Sequence, residues 1–175
     1  MIDFGKPGWF NGYQEKIFLN LKSQFIRGGF TLKIGEIYEE LLFGKCPKQD
    51  YSNNRWECFK EIIKARGQPG TIFTEALCED VKKELGVVDD VVEFFSTLKT
   101  PLDSNQGIDG FVIWWLDEGF NNAKIVTFDI TVRLEKKTYK SDFLITPHKL
   151  IYINPFIRSI AWFLKEKTEL FYNYY

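Results

Sequence analysis

Residues 108–134 decide the fold, and they read IDGFVIWWLDEGFNNAKIVTFDITVRL. The first part, 108–116, is a continuous apolar and aromatic run, which is typical of a strand that is covered on both faces. Residues 117–122 have the polar, glycine-containing composition of a hairpin turn. Along residues 124–134, apolar side chains occupy every second position, and this period of two predicts another strand. We therefore expect two antiparallel strands that are joined by a short turn.

The segments that follow extend this hairpin into a larger α+β arrangement. A second turn is predicted at 135–138 and a third strand at 139–146, which gives a three-stranded, mostly antiparallel meander. A closing helix is predicted at 157–170, because its apolar residues recur with helical spacing. Helices that precede and follow a mostly antiparallel sheet are characteristic of the α+β class.

The N-terminal half is predicted to be helical. The predicted helices are 13–26, a segment from about 31 to before Gly44, 52–66, 74–85 and 90–98. Asn53 or Asn54 is positioned to cap the third of these helices. Asp90 and Glu93 have the spacing of a capping box at the start of the fifth. Residues 101–106 are predicted to form a loop between the helical half and the sheet.

The composition is that of a globular domain. Of the 175 residues, 45% are hydrophobic, 17% aromatic and 27% charged, which is enough apolar material for a packed core. We expect a single α+β domain over residues 1–175, with a helical part at 1–100 and the sheet and closing helix at 101–175.

The charge balance excludes a global basic field. Lys and Arg total 23 against 24 for Asp and Glu, so nucleic-acid binding requires a local patch, for which Lys45, Lys64 and Arg66 are candidates. The longest apolar run, 111–116, is far shorter than the roughly 20 residues of a membrane-spanning helix. The N-terminus has no basic segment followed by an apolar stretch, as a secretory signal has. We therefore expect a cytoplasmic protein with no membrane segment.

The cysteines do not form a recognisable site. Cys46, Cys58 and Cys78 are widely spaced, contain no CxxC pair, and are expected to be reduced and mostly buried. The chain has one histidine, His148, so neither a clustered Cys/His zinc site nor Cys/His catalysis is favoured.

Two aspartates stand inside the apolar segments. Asp109 lies near the start of the first strand and Asp129 lies on the second. An unpaired buried carboxylate is too costly, so each must be hydrogen-bonded, ion-paired, protonated or metal-bound. Because both lie at similar distances from the turn, the hairpin brings them together, where such a pair can hold Mg²⁺ or Mn²⁺. Two simpler alternatives stay open: Asp109 bonds amides at the start of its strand, and Asp129 pairs with Arg133 or Lys140.

Residues 88–146 resemble the PD-(D/E)xK nuclease-like superfamily. In that superfamily a helix leads into a sheet that carries one aspartate and then an acidic residue two positions before a lysine. The matching stretches here are Asp109-Gly110 and Asp129-Ile130-Thr131. The resemblance implies a restriction-endonuclease-like core and a metal-dependent phosphodiesterase that acts on DNA or RNA.

The same resemblance implies roles for individual residues. The aspartate pair would hold Mg²⁺ or Mn²⁺, with Glu93, on the helix before the sheet, as a further ligand. Thr131 stands at the position of the superfamily's lysine. Lys140 and Lys124 are therefore the candidates to orient water or to stabilise the charge of the transition state.

The main alternative is a protein without catalytic activity. The chain has 17 Phe, 8 Tyr and 5 Trp, and some of these aromatic side chains are expected to lie on a surface that contacts a partner. Without the motif lysine, the chain would be a binding or regulatory protein on a decayed nuclease-like scaffold, which engages a protein partner or a second copy of itself. A paired-carboxylate glycosidase, with Trp114 and Trp115 stacking on sugar, is a further alternative.

Overall fold

The computed structural model describes residues 32–47, 50–65, 70–88, 91–118, 120–131, 138–146, 149–150 and 153–172. By its contacts the chain divides into two compact units, Met1–Tyr38 and Glu39–Tyr175. The sheet and the candidate site belong to the second unit. The predicted helix at 13–26 lies outside the described residues, and the expectation of a single domain stays a prediction.

The described segments contain five helices and five strands. The helices of the described segments are α1 (Leu32–Phe43), α2 (Arg55–Lys64), α3 (Ile72–Leu85), α4 (Pro101–Gln106) and α5 (Ile153–Glu166). The strands are β1 (Val92–Ser96), β2 (Gly110–Trp115), β3 (Asn122–Ile130), β4 (Phe143–Ile145) and β5 (Phe171–Tyr172). The strands form one open, mostly antiparallel sheet, which confirms the predicted α+β class. Among the described residues, no helix has the length and apolar character that crossing a membrane requires.

Local sequence signals determine the ends of α2 and α3. The side chain of Asn54 accepts hydrogen bonds from the backbone N–H groups two and three residues later, so it caps α2. Thr71 and Thr74 form a reciprocal capping box at the start of α3. Gly86 ends α3 in the left-handed region, with φ of 76°. The sequence predictions of α1, α2 and α3 are confirmed within a few residues at each end.

The segment 90–98 was predicted as a helix, and that prediction is wrong, because β1 occupies it. The ring of Phe94 lies 4.6 Å from that of Phe43 on one side of the sheet. Phe95 instead stacks on Phe111 on the other side, at 5.2 Å between ring centroids. Neighbouring residues that point to opposite faces have the geometry of a strand. A short apolar run is compatible with both the helical period of 3.6 residues and the strand period of two. Pairing with β2 makes this segment a strand.

Residues 101–106, predicted as a loop, form helix α4. Pro101 occupies its first turn, where the backbone N–H that proline lacks needs no partner. The hydroxyl of Thr100 accepts a hydrogen bond from Leu102 N at 3.2 Å and so caps the helix. Gly107 ends the helix with φ of 62°, and the chain then enters β2.

The strand order is β1-β2-β3-β4, and β5 also pairs with β3. The first three strands are antiparallel, so the predicted hairpin of β2 and β3 is confirmed. The third predicted strand is shorter than expected, and β4 runs parallel to β3 instead of antiparallel. The meander prediction is therefore wrong at this strand. Residues 131–142 supply about the dozen residues that a parallel crossover needs.

Both faces of the sheet are covered. On the first face, α2 packs through Phe59, whose ring meets that of Phe111 edge to face at 4.8 Å. On the second face, α5 packs through Phe156, whose ring centroid is 6.4 Å from that of Phe128. Helix α3 contacts both α5 and β1. The prediction that β2 is covered on both faces is confirmed.

Candidate carboxylate site

Asp109 and Asp129 lie at the same end of the β2–β3 hairpin. The sheet register ends at the pair of Gly110 and Phe128, so Asp109 directly precedes β2 and Asp129 directly follows the last β3 residue that pairs with β2. The charge of Asp129 acts on the Asp109 carboxyl, so the two groups are near each other. Asp109 N donates a hydrogen bond to Phe128 O at 2.8 Å. Asp109 Oδ2 accepts one from Ile130 N at 2.6 Å. The backbone on both sides of Asp129 therefore holds Asp109 in place, and the hairpin brings the two aspartates together.

Both carboxyl groups are nearly excluded from solvent. Asp109 is 5% exposed and Asp129 is 3% exposed. Burial is the largest influence on Asp109, and it raises the pKa of this carboxyl to about 8. The hydrogen bond from Ile130 N acts in the opposite direction, because it stabilises the ionised form. Without a compensating cation, the Asp109 carboxyl is mostly protonated at neutral pH.

Two further acids act on Asp109, and neither is among the site residues that the sequence predicts. The charges of Glu39 on α1 and Asp103 on α4 also raise the pKa of Asp109. Asp103 accepts a hydrogen bond from Lys99 N at 2.7 Å. Its place in the first turn of a helix was a usable signal, but the segment was predicted as a loop. No local pattern marks Glu39, which tertiary packing brings near the site.

Glu93, predicted as a further metal ligand, lies elsewhere. It belongs to β1, and its Oε2 accepts a hydrogen bond from Trp115 Nε1 at 2.7 Å. The Asp109 carbonyl instead accepts from Thr97 N, just past the other end of β1. Four residues of strand separate Glu93 from Thr97, roughly 13 Å. The structure therefore does not bring Glu93 to the aspartate pair.

The lysines proposed for catalysis also have other contacts. Thr131, at the motif lysine position, is buried, with 9% exposed. Lys140 Nζ lies 3.5 Å from the Asn105 carbonyl of α4. Lys124 Nζ donates to the Lys165 carbonyl of α5 at 2.8 Å, on the face of the sheet opposite to the aspartates. Arg133, the other predicted partner of Asp129, lies outside the described residues.

The cysteines have the expected structural character. Cys58 and Cys78 are buried, Cys46 is half-buried, and all three are free thiols. Burial raises the pKa of the Cys58 thiol to about 11 and that of Cys78 to about 12. Both groups are therefore un-ionised at neutral pH, so neither is an activated nucleophile. His148 lies outside the described residues.

In the segments that the structure describes, no three His, Cys, Asp or Glu side chains are grouped so as to hold a metal ion. No protein-family model, curated protein or solved structure matches this chain. The functional argument therefore depends on the geometry of Asp109 and Asp129 and on the charges around them.

Proposed function

We propose that this chain is a nuclease-like domain that acts on phosphodiester bonds of DNA or RNA, with Mg²⁺ or Mn²⁺ held by Asp109 and Asp129. The observation that carries the proposal is the presence of two buried, electrostatically interacting carboxyl groups at one end of the β2–β3 hairpin. A carboxylate that is removed from water needs a compensating partner, and a cation held between the two groups would compensate both charges.

The donor set fits a hard divalent cation. Mg²⁺ is commonly held by one or two carboxylates, while water and phosphate oxygens complete its coordination. Asp109 and Asp129 supply two carboxylates from adjacent strands, and Glu39 adds negative charge nearby. A rigid strand pair positions such ligands more accurately than a loop does. A cation at this place would polarise a phosphoryl oxygen and lower the pKa of bound water.

The protonation of Asp109 makes metal binding depend on pH. Burial raises the pKa of Asp109 to about 8, so the metal-free carboxyl holds a proton at pH 7. Cation binding requires the ionised carboxylate and therefore releases this proton. We expect the affinity for Mn²⁺ to rise with pH up to about 8 and then to level off.

Calorimetric titration of Mn²⁺ and Mg²⁺ into the metal-stripped full chain tests the proposal. We expect binding in the wild type and its loss in Asp109→Asn and in Asp129→Asn, since each variant keeps the shape of its side chain but removes the charge. Glu118→Gln is a matched control, because Glu118 is exposed in the turn at the other end of the hairpin. Absence of binding in the wild type at pH 8.5 would contradict the metal site.

Cleavage of labelled DNA and RNA in Mn²⁺ tests the activity. We expect cleavage by the wild type and by Glu118→Gln, and a loss of about a hundredfold or more in Asp129→Asn. Circular dichroism confirms that each variant is folded. Metal binding without cleavage of any nucleic acid would reject the nuclease and favour the second candidate below.

The second candidate is a non-enzymatic binding or regulatory protein on a decayed nuclease-like scaffold. The position of the lysines favours it, because Thr131 carries no charge and Lys140 and Lys124 contact backbone carbonyls elsewhere. Exposed aromatic side chains on the two sides of the sheet offer separate contacts for a protein partner or a second copy: Trp162 on α5 is 64% exposed and Trp56 on α2 is 40% exposed. This candidate requires a stable oligomer or complex that forms equally well in EDTA, which sedimentation measures.

A further inference from the structure

We propose that the exposed face of α5 binds a second copy of this chain, and that Trp162 of each copy fills a cavity beside Trp162 of the other. The inference is independent of the proposed function, because it requires neither a metal ion nor cleavage. Three features of one surface carry it: an exposed indole ring, an adjoining cavity, and opposite charges on the two sides of the ring.

Helix α5 has one face that packs into the protein and one face that is exposed. The buried residues recur with helical spacing, and they are Ile153, Phe156, Ile157, Ile160, Ala161 and Leu164. Trp162 lies on the other face and is 64% exposed, the largest value for any aromatic residue in the described segments. So exposed a ring contributes little to folding through burial, whereas tryptophan is enriched at the centre of protein interfaces.

A cavity adjoins Trp162 toward the C-terminal end of α5. Its volume is about 360 Å³, and its lining consists of Trp162, Phe163, Glu166, Lys167, Thr168 and Glu169. Sites for drug-sized molecules begin at about 300 Å³, so the cavity has room for one indole ring. The ring of Phe163, which packs edge to face on Phe143, gives it an apolar wall. An aromatic ring and a cavity that fits such a ring therefore lie on the same surface.

A two-fold axis through Trp162 brings the indole ring of each copy to the cavity of the other. An axis perpendicular to α5 makes the two copies of this helix antiparallel. Side chains tilt toward the N-terminus of their own helix, which in an antiparallel pair is the direction of the other helix's C-terminus. The cavity lies at that end. The contact uses the same surface of both copies, so association stops at a dimer.

The charges on the two sides of Trp162 are complementary under the same axis. Arg158 and Glu166 each lie four residues from Trp162, about 6 Å along the helix. The antiparallel arrangement places Arg158 of each copy opposite Glu166 of the other. The Arg158 side chain is 71% exposed and contacts Glu84 Oε1 through Nε at 3.4 Å. Its terminal N–H groups therefore remain for a carboxylate of the second copy.

The lysines at this end of α5 are engaged within the chain. Lys165 Nζ donates to the Glu84 carbonyl at 3.0 Å. Lys167 Nζ donates to the Ile125 carbonyl at 2.8 Å and lies 3.6 Å from Asp142 Oδ2. Within the described part of the chain, no ion pair holds the carboxylate of Glu166. This carboxylate is therefore available to Arg158 of the second copy.

A contact through one helix is small, which sets the expected affinity. Helix α5 has 14 residues and is therefore about 21 Å long. Interfaces of this extent belong at or below the lower end of the size range of stable complexes, about 1,200 Å². We expect a dissociation constant of about 1–100 μM.

Sedimentation velocity of the full chain in EDTA, from about 2 to 200 μM, tests the inference. We expect the wild type to change from monomer to dimer over this range, and Trp162→Ala to dimerise about tenfold more weakly or less. Trp56→Ala is the control, because Trp56 is an exposed tryptophan on α2, and it should change the dissociation constant by less than about threefold. Circular dichroism confirms that each variant is folded.

Exchange of the two charges tests the antiparallel arrangement. We expect Arg158→Glu alone and Glu166→Arg alone each to dimerise about tenfold more weakly, because like charges then face each other twice in the dimer. An equimolar mixture of these two variants should recover dimers, since opposite charges then meet at both positions. A local effect of either substitution on its own chain cannot produce this recovery.

A wild type that stays monomeric at the highest concentration overturns the inference, because another molecule would then have to cover this face. A dimer that Trp162→Ala leaves unchanged also overturns it. Loss of the dimer in Trp56→Ala alone would place the interface at α2. A mixture of the two charge variants that stays monomeric overturns the antiparallel arrangement and the proposal with it.

Discussion

Gly110 shows how packing determines the residue that follows Asp109. A Cβ atom at this position would lie 2.5 Å from the ring of Phe94 and 2.8 Å from that of Phe43. Both rings belong to the packed face of the sheet and cannot move away at low cost. The Asp109-Gly110 sequence therefore reflects close packing at the start of a strand, and its aspartate bonds across to Ile130 N and not within a turn.

Asp109 also makes stability depend on pH. Its pKa is raised from 3.8 to about 8, so below pH 3.8 the carboxyl is protonated in both the folded and the unfolded chain. As pH rises toward 8, only the folded chain keeps the proton, and ionising it there costs stability. In EDTA, we expect the free energy of unfolding of the wild type to fall by about 4 kcal/mol relative to Asp109→Asn between pH 5 and pH 9. Urea unfolding measures this difference, and parallel pH profiles would contradict it.

At the scale of elements, the turn between β1 and α4 supports the site. Thr97 N donates to the Asp109 carbonyl at 3.0 Å. Thr100, 1% exposed, donates its hydroxyl to the Thr97 carbonyl at 2.6 Å and accepts from Leu102 N. One buried hydroxyl thus joins the end of β1 to the start of the helix that carries Asp103.

We expect Thr100→Ala to lower the free energy of unfolding by about 1–2 kcal/mol, because it removes the helix cap and leaves the buried Leu102 N–H without its acceptor. The Thr97 carbonyl still accepts a hydrogen bond from the backbone N–H of residue 100. Thr100→Ser keeps the hydroxyl and should recover most of this loss. Urea unfolding at pH 7 provides the comparison. Equal stability of the alanine and serine variants would show that the methyl group, and not the hydroxyl, is what matters.

At the scale of the whole sheet, the outer edge of β3 is paired at both ends but not in the middle. β5 pairs with Asn122 and Ala123, and β4 pairs with Phe128 through Ile130. Between them, side chains replace the missing strand. Lys167 Nζ donates to the Ile125 carbonyl at 2.8 Å, and Asp142 Oδ2 accepts from Thr127 N at 2.8 Å. Lys167 Nζ and Asp142 Oδ2 lie 3.6 Å apart and form an ion pair.

Removing either side chain leaves a backbone group of β3 unsatisfied. We expect Lys167→Met and Asp142→Ala each to cost about 1–3 kcal/mol of stability. The double variant should cost less than the sum, with a coupling of about 0.5–2 kcal/mol, since the two groups also interact with each other. Lys83→Ala, which breaks an exposed ion pair, should change stability by less than about 0.5 kcal/mol. Additive effects in a double-mutant cycle would show that Lys167 and Asp142 stabilise β3 independently of each other.

The sequence alone determined the features that depend on near neighbours. The caps and boundaries of α2 and α3 follow from residues within one or two turns. The β2–β3 hairpin follows from alternation around a short turn, and it brings Asp109 and Asp129 to the same end of the two strands. Other features depend on distant partners, and only the tertiary structure decided them. Pairing with β2 makes β1 a strand, and β4 pairs with β3 in the parallel direction. Packing brings Glu39 and Asp103 near Asp109, whereas a hydrogen bond with Trp115 holds Glu93 away. A short apolar run or a single glutamate is compatible with several local environments, and contacts between residues far apart in the chain select one of them.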